Sequence, residues 1–286
     1  METVTDAHIH IMPLRMMKSE VRRTFTSAAS YDEALYRRIM KPKELVDILE
    51  REGVLWVNIM SYQSKDVMGF GDEMVDFVGR YCRYDPDRLK AVISVDPRAE
   101  GDPVKKLEGF RSKYDSAWIK LHPVHQLFKP NAYRPEEGGT KALPAIYEYA
   151  DSNRMPITIH TGSSIFPGAR IKYGDPIYLD DVATDYPRMK IVMAHGGRPF
   201  WTDKAFFILR RHRNVYLDIS GVPPKKLLEY FPRLPDVWEK VIFGSDWPTM
   251  GVRSIRQNAE DVISLGLPRA AVRGILRDNI RRLVSG

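Results

Sequence analysis

Eight short runs rich in β-branched and apolar residues recur along the chain, at 3–11, 54–61, 89–95, 117–122, 157–161, 190–195, 215–219 and 241–245. Several are almost continuously apolar, as in Ile191-Val192-Met193-Ala194. That pattern suits a strand covered on both faces rather than one with a wet side. Between the runs lie stretches of helical periodicity. The clearest is 42–50, with Pro42 at its first turn and Gly53 just beyond its end, a proline-in, glycine-out punctuation that frames a helix. Others span 141–152 and 203–213, and 268–283 reads as a closing helix. Strand-then-helix repeated eight times predicts a (β/α)8 barrel, one domain over 1–286, rather than an open doubly wound sheet. No Gly-x-Gly-x-x-Gly follows any of the runs.

Connection lengths give the barrel a polarity. Returns from helix to strand are short, such as Glu52-Gly53 and 186–189, while the segments leaving the strands are long, at 12–30, 123–140 and 162–175. Long loops at the carboxyl ends of the strands are where such barrels carry their sites. The loop 11–30, with Met12, Met16, Met17 and Arg15, is expected over that mouth as a lid or a subunit contact.

Composition fixes the setting. Of 286 residues, 43% are hydrophobic and 28% charged, ordinary for a globular protein with a sizeable core. No apolar run is long enough to span a bilayer, and no signal-peptide pattern is visible at the start. A single cysteine, Cys82, excludes an internal disulfide framework, reads as a packing residue, and fits a reducing cytoplasm. The net charge of +7 comes from basic residues scattered along helical stretches, as in 209–213. Such charges read as solvated faces, and no basic stripe interleaved with aromatics suggests single-strand binding. The expected partner is a small molecule, with no nucleic acid and no membrane; a homo-oligomer is neither required nor excluded.

Polar residues cluster at the ends of the apolar runs. His8 and His10, one residue apart, share a strand face and on the inner wall of a barrel would chelate a divalent ion. His160 follows Pro-Ile-Thr-Ile, His195 follows Ile-Val-Met-Ala, and Asp246 follows Val-Ile-Phe-Gly-Ser. Asp246 reads either as a helix N-cap or as a carboxylate at a metal-held water. Lys120 and His122 alternate on the fourth run and share a face. Lys120 has three readings: a grip on an acidic substrate, a carbamate bridging two metals, or a structural ion pair. Arg134, Arg170, Lys172 and Arg198 lie in or beside the strand-end loops and can bind a carboxylate. His125 and His212 read as peripheral.

With Asp6-Ala7-His8-Ile9-His10, Ile159-His160-Thr161-Gly162, Ala194-His195-Gly196-Gly197 and Gly244-Ser245-Asp246-Trp247-Pro248 in order along the chain, the sequence resembles the amidohydrolase superfamily. The likeness is greatest to its amidohydrolase-related branch of hydrolases, lactonases and non-oxidative decarboxylases. The resemblance implies that His8, His10, His160 and Asp246 surround a metal, usually one zinc, with a second metal only if Lys120 is carbamylated. It also implies that His195 and Asp246 move protons, while Lys120, His122 and Arg198 are the expected substrate contacts. Hydrolysis of a small ester, lactone or amide bearing a carboxylate is the leading expectation. Decarboxylation of an aromatic or enol carboxylic acid at the same metal is the alternative. A metal-dependent nuclease and a non-catalytic scaffold are the weaker readings, the first because relatives of that kind carry a glutamate where Lys120 stands.

Overall fold

The structure, a computed structural model, describes residues 2–249 and 251–285. Among them eight parallel strands follow one another in space as in sequence: β1 (Val4–Ile9), β2 (Val54–Met60), β3 (Leu89–Val92), β4 (Ile119–Leu121), β5 (Ile157–His160), β6 (Ile191–Ala194), β7 (Val215–Asp218) and β8 (Val241–Ile242). Ladders join β1 to β3 and β4 to β8, and single bridges close the two seams: Ile93 with Ile119, and Ile9 with Trp247. At the second seam the amide of Ala7 donates to the Phe243 carbonyl and that of Asp246 to the His8 carbonyl. The ring is complete, so no strand edge is left open, as the (β/α)8 expectation requires.

Met60 of β2 and its register partner Val92 of β3, Val192 of β6 and Ile242 of β8 come from separate parts of the ring, yet they pack in one buried cluster with Trp118. Such residues meet only across the interior of the barrel. Ile280 and Leu283 of the terminal helix join them, so that helix lies across the amino ends of the strands. A larger apolar cluster fills the space between strands and helices. The helix Pro42–Arg51 illustrates how: Leu45, Ile48 and Leu49 are buried at helical spacing, and the backbone turns beyond it at Gly53 with φ of +62°. Each such side chain stabilises the fold by roughly 1.5–3 kcal/mol.

Three sequence expectations change. The terminal helix is interrupted by a π-helical turn, Gly274–Asp278, between Arg269–Arg273 and Asn279–Ser285. At Gly274 the Trp238 ring occupies the place of a side chain, and the wider turn accommodates it. The segment 11–30 is not a bare loop, since it holds a 3-10 turn, Leu14–Met16, and an α-helix, Ser19–Thr26. Strand eight is two residues long because Gly244, Ser245 and Asp246 leave the ladder to build the rim. Cys82 is buried as expected, and burial pushes its thiol up. No helix among the described residues is long and apolar enough to cross a membrane.

Candidate metal centre and active-site cavity

The carboxyl ends of the strands open into a cavity of about 430 Å³, a size that suits a small molecule. His10, Lys120, His122, His160, His195, Arg198 and Asp246 line it. Its outer part is apolar, walled by Phe25, Tyr36 and Phe166.

On the floor, ligand atoms of His8, His10 and Asp246 all lie within 4.8 Å of one another. Nε2 of His8 is 3.2 Å from Nε2 of His10, which is 3.3 Å from Oδ1 of Asp246. His8 is held from behind: its Nδ1–H donates to Oδ2 of Asp218 at 2.6 Å, leaving Nε2 as a bare lone pair. Asp218 is fixed in turn by the amide and hydroxyl of Ser220. Asp6 accepts from the amides of His8 and Ser245, tying β1 to the rim after β8.

This donor set fits a divalent cation. Buried imidazole nitrogens and a carboxylate converge there, and Nε2 of His160, in the same cavity, is buried without a partner. Such orphans are costly in a closed site, and a cation removes the cost for those that face it. His160 stands outside the group of three. Its ring lies 4.7 Å from that of His195, and it lines the same cavity.

Electrostatics sort the residues into roles. Burial first, then cationic and imidazole neighbours, hold His8, His122, His160 and His195 well below the ordinary imidazole range, so these rings are neutral. Burial alone would raise Asp246, but His10, His8 and Arg198 outweigh it and keep the carboxyl below its usual value. Burial raises Asp218 to about 6 and Asp6 to about 7, and lowers Lys120 to about 8 against the pull of Asp218 and Asp246. His195 and Asp246 also share a backbone anomaly, with φ of 68° and 65°. Left-handed backbone at a non-glycine residue costs of order 1–3 kcal/mol and is held only where the surroundings enforce it.

The cavity separates the expected substrate contacts. Lys120, His122 and Arg198 line it, and Nε of Arg198 is buried without a partner. Arg134, Arg170 and Lys172 do not. Arg134 is paired with Asp185 at 2.9 Å, the Arg170 guanidinium caps the carbonyls of Gly168 and Ala169, and Lys172 lies over the Tyr173 ring. His212 is peripheral as expected, bound to Asp180 at 2.6 Å. His125 is not: it is buried in the cavity wall, with burial as the main cause of a pKa lowered to about 3. Its sequence signal is position, three residues after His122 at the end of the fourth run. Asp218 is a second site residue that sequence reasoning does not find, although it ends Val-Tyr-Leu as His195 ends its own apolar run.

Fold and site together define a (β/α)8 barrel with a metal-type donor set at the carboxyl ends of its strands. The Amidohydrolase family profile matches residues 5–285, and the chain belongs to that family. Among solved structures, an uncharacterized TIM-barrel protein from Bordetella bronchiseptica superposes with a TM-score of 0.71 at 16% identity, covering 98% of each chain. A probable 2-pyrone-4,6-dicarboxylic acid hydrolase from Acinetobacter baumannii, with citric acid bound, gives 0.69 at 15% identity over 99% of this chain and 100% of its own. A dihydroxybenzoic acid decarboxylase from a Polaromonas species, with manganese and 2-nitroresorcinol bound, gives 0.68 at 13% over 99% and 97%. At these identities the likeness is one of fold. No curated protein matches the sequence.

Proposed function

We propose that the protein is a metal-dependent hydrolase of a small ester, lactone or amide that carries a carboxylate, acting through an activated water. The observation that carries this reading is the convergence of His8, His10 and Asp246, with the Asp246 carboxylate held ionised beside the neutral imidazole of His8. A divalent cation held by His8, His10 and Asp246, with His160 beside them, supplies Lewis acidity and lowers the pKa of water. Zinc suits such nitrogen and oxygen donors, and the manganese in the Polaromonas decarboxylase makes that ion an equal candidate.

Asp246 takes the proton of the attacking water and returns it to the leaving group. His195 donates Nδ1–H to the Ser220 carbonyl at 2.7 Å, so its Nε2 is a lone pair available to orient the water. Lys120 and Arg198 hold the substrate carboxylate, and Phe25, Tyr36 and Phe166 exclude solvent from its apolar part.

The alternative, decarboxylation, draws on the same donors and on the relatives that perform it. It needs a group to protonate carbon, and Asp246 is held ionised, with no proton to give until it has taken one from water, which favours hydrolysis. Metal-loaded protein given a panel of lactones, esters and aromatic carboxylic acids separates the two: acid release supports hydrolysis, and carbon dioxide release refutes it. In that assay Asp246→Asn is expected to lower turnover by about a thousandfold or more while metal is retained. Near-wild-type turnover would eliminate the role given to Asp246.

A further inference from the structure

His122 lies between two parallel rings, His125 at 3.7 Å and 8° and His160 at 3.9 Å and 15°, with the Tyr62 ring at 4.7 Å. This stack fixes the plane of its imidazole. The rotation is fixed separately. His122 is the N-cap of the short helix Pro123–Gln126, and the backbone N–H of His125 is shared between its carbonyl at 3.0 Å and its Nδ1 at 3.3 Å, both accepting. The His125 ring is itself held in the stack, with Tyr62 Oη 3.1 Å from its Nδ1 and Ser164 Oγ 2.7 Å from its Nε2. The His122 backbone is tied as well, its amide donating to Oε1 of Gln126, whose Nε2 donates to the Val95 carbonyl.

A ring nitrogen that accepts from a backbone amide carries no proton, so the single proton of the neutral ring sits on Nε2. Among the described residues no acceptor takes that Nε2–H, and the ring lines the cavity. His195 has the reverse arrangement. Its Nδ1–H is spent on the Ser220 carbonyl, which leaves Nε2 as an acceptor. Two imidazoles of one cavity are thus locked in opposite tautomers.

We propose that His122 is a fixed neutral hydrogen-bond donor for a carboxylate oxygen of the substrate, its Nε2–H acting beside the cations of Lys120 and Arg198. The inference rests on reading the cavity as a site for carboxylate-bearing substrates. A neutral donor adds a fixed direction to the two charged contacts, and its ring stack makes it costly to move. It also sets selectivity: a ligand presenting an N–H or an apolar group at that point leaves the His122 proton unpaired, whereas a carboxylate satisfies it.

Nitrogen NMR of protein labelled with 15N-histidine reads the tautomers directly, with His122→Gln and His195→Gln assigning the two rings. His122 is expected to show a protonated Nε2 and a bare Nδ1, and His195 the converse. Benzoate, a flat acid without a scissile bond, then serves as the probe in calorimetric titration of the metal-loaded protein. His122→Phe keeps a ring in the stack and is expected to weaken benzoate by about tenfold to a hundredfold. His122→Gln restores an N–H near the Nε2 position and is expected to recover most of that loss. A His122 protonated on Nδ1, wild-type protein that does not bind benzoate, or equal affinity in His122→Phe would each overturn the proposal. None of these readouts needs turnover. Failure to hydrolyse any ester, lactone or amide would therefore sink the hydrolase reading alone.

Discussion

Asp218 shows how one residue sets the chemistry of another. Its carboxylate accepts from Nδ1–H of His8, with the Ser220 hydroxyl 3.0 Å from the same nitrogen, and that contact turns Nε2 to the candidate cation site as a lone pair. Asp218→Asn keeps the shape and loses the charge, and the affinity for zinc or manganese is expected to fall by about 10–100-fold. Competition against a chromophoric chelator measures this; a change under threefold would mean that His8 keeps its orientation without Asp218. Lys120 carries the opposite lesson, since it is fully buried and its pKa is lowered to about 8, mainly by burial. A depressed folded-state pKa means that folding is penalised while the amine is charged. The stability it contributes is present above the unfolded value near 10.5 and is lost as pH falls through about 8. Lys120→Met is therefore expected to be more stable than the parent at pH 7 by about 2–3 kcal/mol, with the gap closing as pH rises toward 10. Urea unfolding across that pH range tests it, and a gap independent of pH would show that the penalty is not electrostatic. The same substitution removes a cation from the proposed carboxylate contact, a case of stability given up for function.

At the scale of elements, the strands were legible and their ends were not. Runs such as Ile-Val-Met-Ala announce buried parallel strands by composition alone. The residues just beyond each run are placed by contacts distant in sequence, such as Asp6 accepting from the Ser245 amide, and by local backbone, as where His195 turns to positive φ. His160, His195 and Asp246 could be read because each sits where an apolar run stops, and His8 and His10 because their spacing puts them on one face of a strand. His125 could not, because its place depends on the short helix that folds back onto His122. The helix Ser19–Thr26 was hidden for another reason. It is eight residues long, buries only Val21 and Phe25, and its first turn has no side-chain cap, so little in the sequence marks where it starts. Its hold on the molecule is aromatic, with Phe25 meeting Tyr36 at 5.1 Å, Tyr31 at 5.9 Å and Phe166 at 6.5 Å over the cavity. Phe25→Ala is expected to speed amide hydrogen exchange across 19–26 by about tenfold or more while β1 to β8 keep wild-type protection. Faster exchange in the strands as well would make this helix part of the barrel's cooperative unit rather than a separately opening cover.

At the scale of the whole molecule, closure and chemistry are carried by different residues. The ring is sealed by backbone bridges at two seams, its interior is filled by Trp118, Val192 and Ile242, and its amino end is covered by Ile280 and Leu283. His8, His10 and Asp246 sit beyond that plug at the other end of the strands. The basic surplus is part of the same separation. Many surface cations are matched locally, as in Arg37 with Glu33 and Lys43 with Asp47, the solvated faces that scattered charge suggests. The fold should accordingly survive without a cation while the site does not. Stripping the protein with a chelator is expected to leave its circular dichroism spectrum intact at about 25 °C. Restoring zinc or manganese to about a hundred times its dissociation constant adds about 2.7 kcal/mol by mass action, which for a domain of this size raises Tm by roughly 4–5 °C. Calorimetric scans of stripped and reloaded protein check both points. A chelated protein that unfolds outright would show that the converging imidazoles and carboxylate cannot be held together by the barrel alone. A Tm indifferent to every divalent cation would remove the metal from the reading of this site.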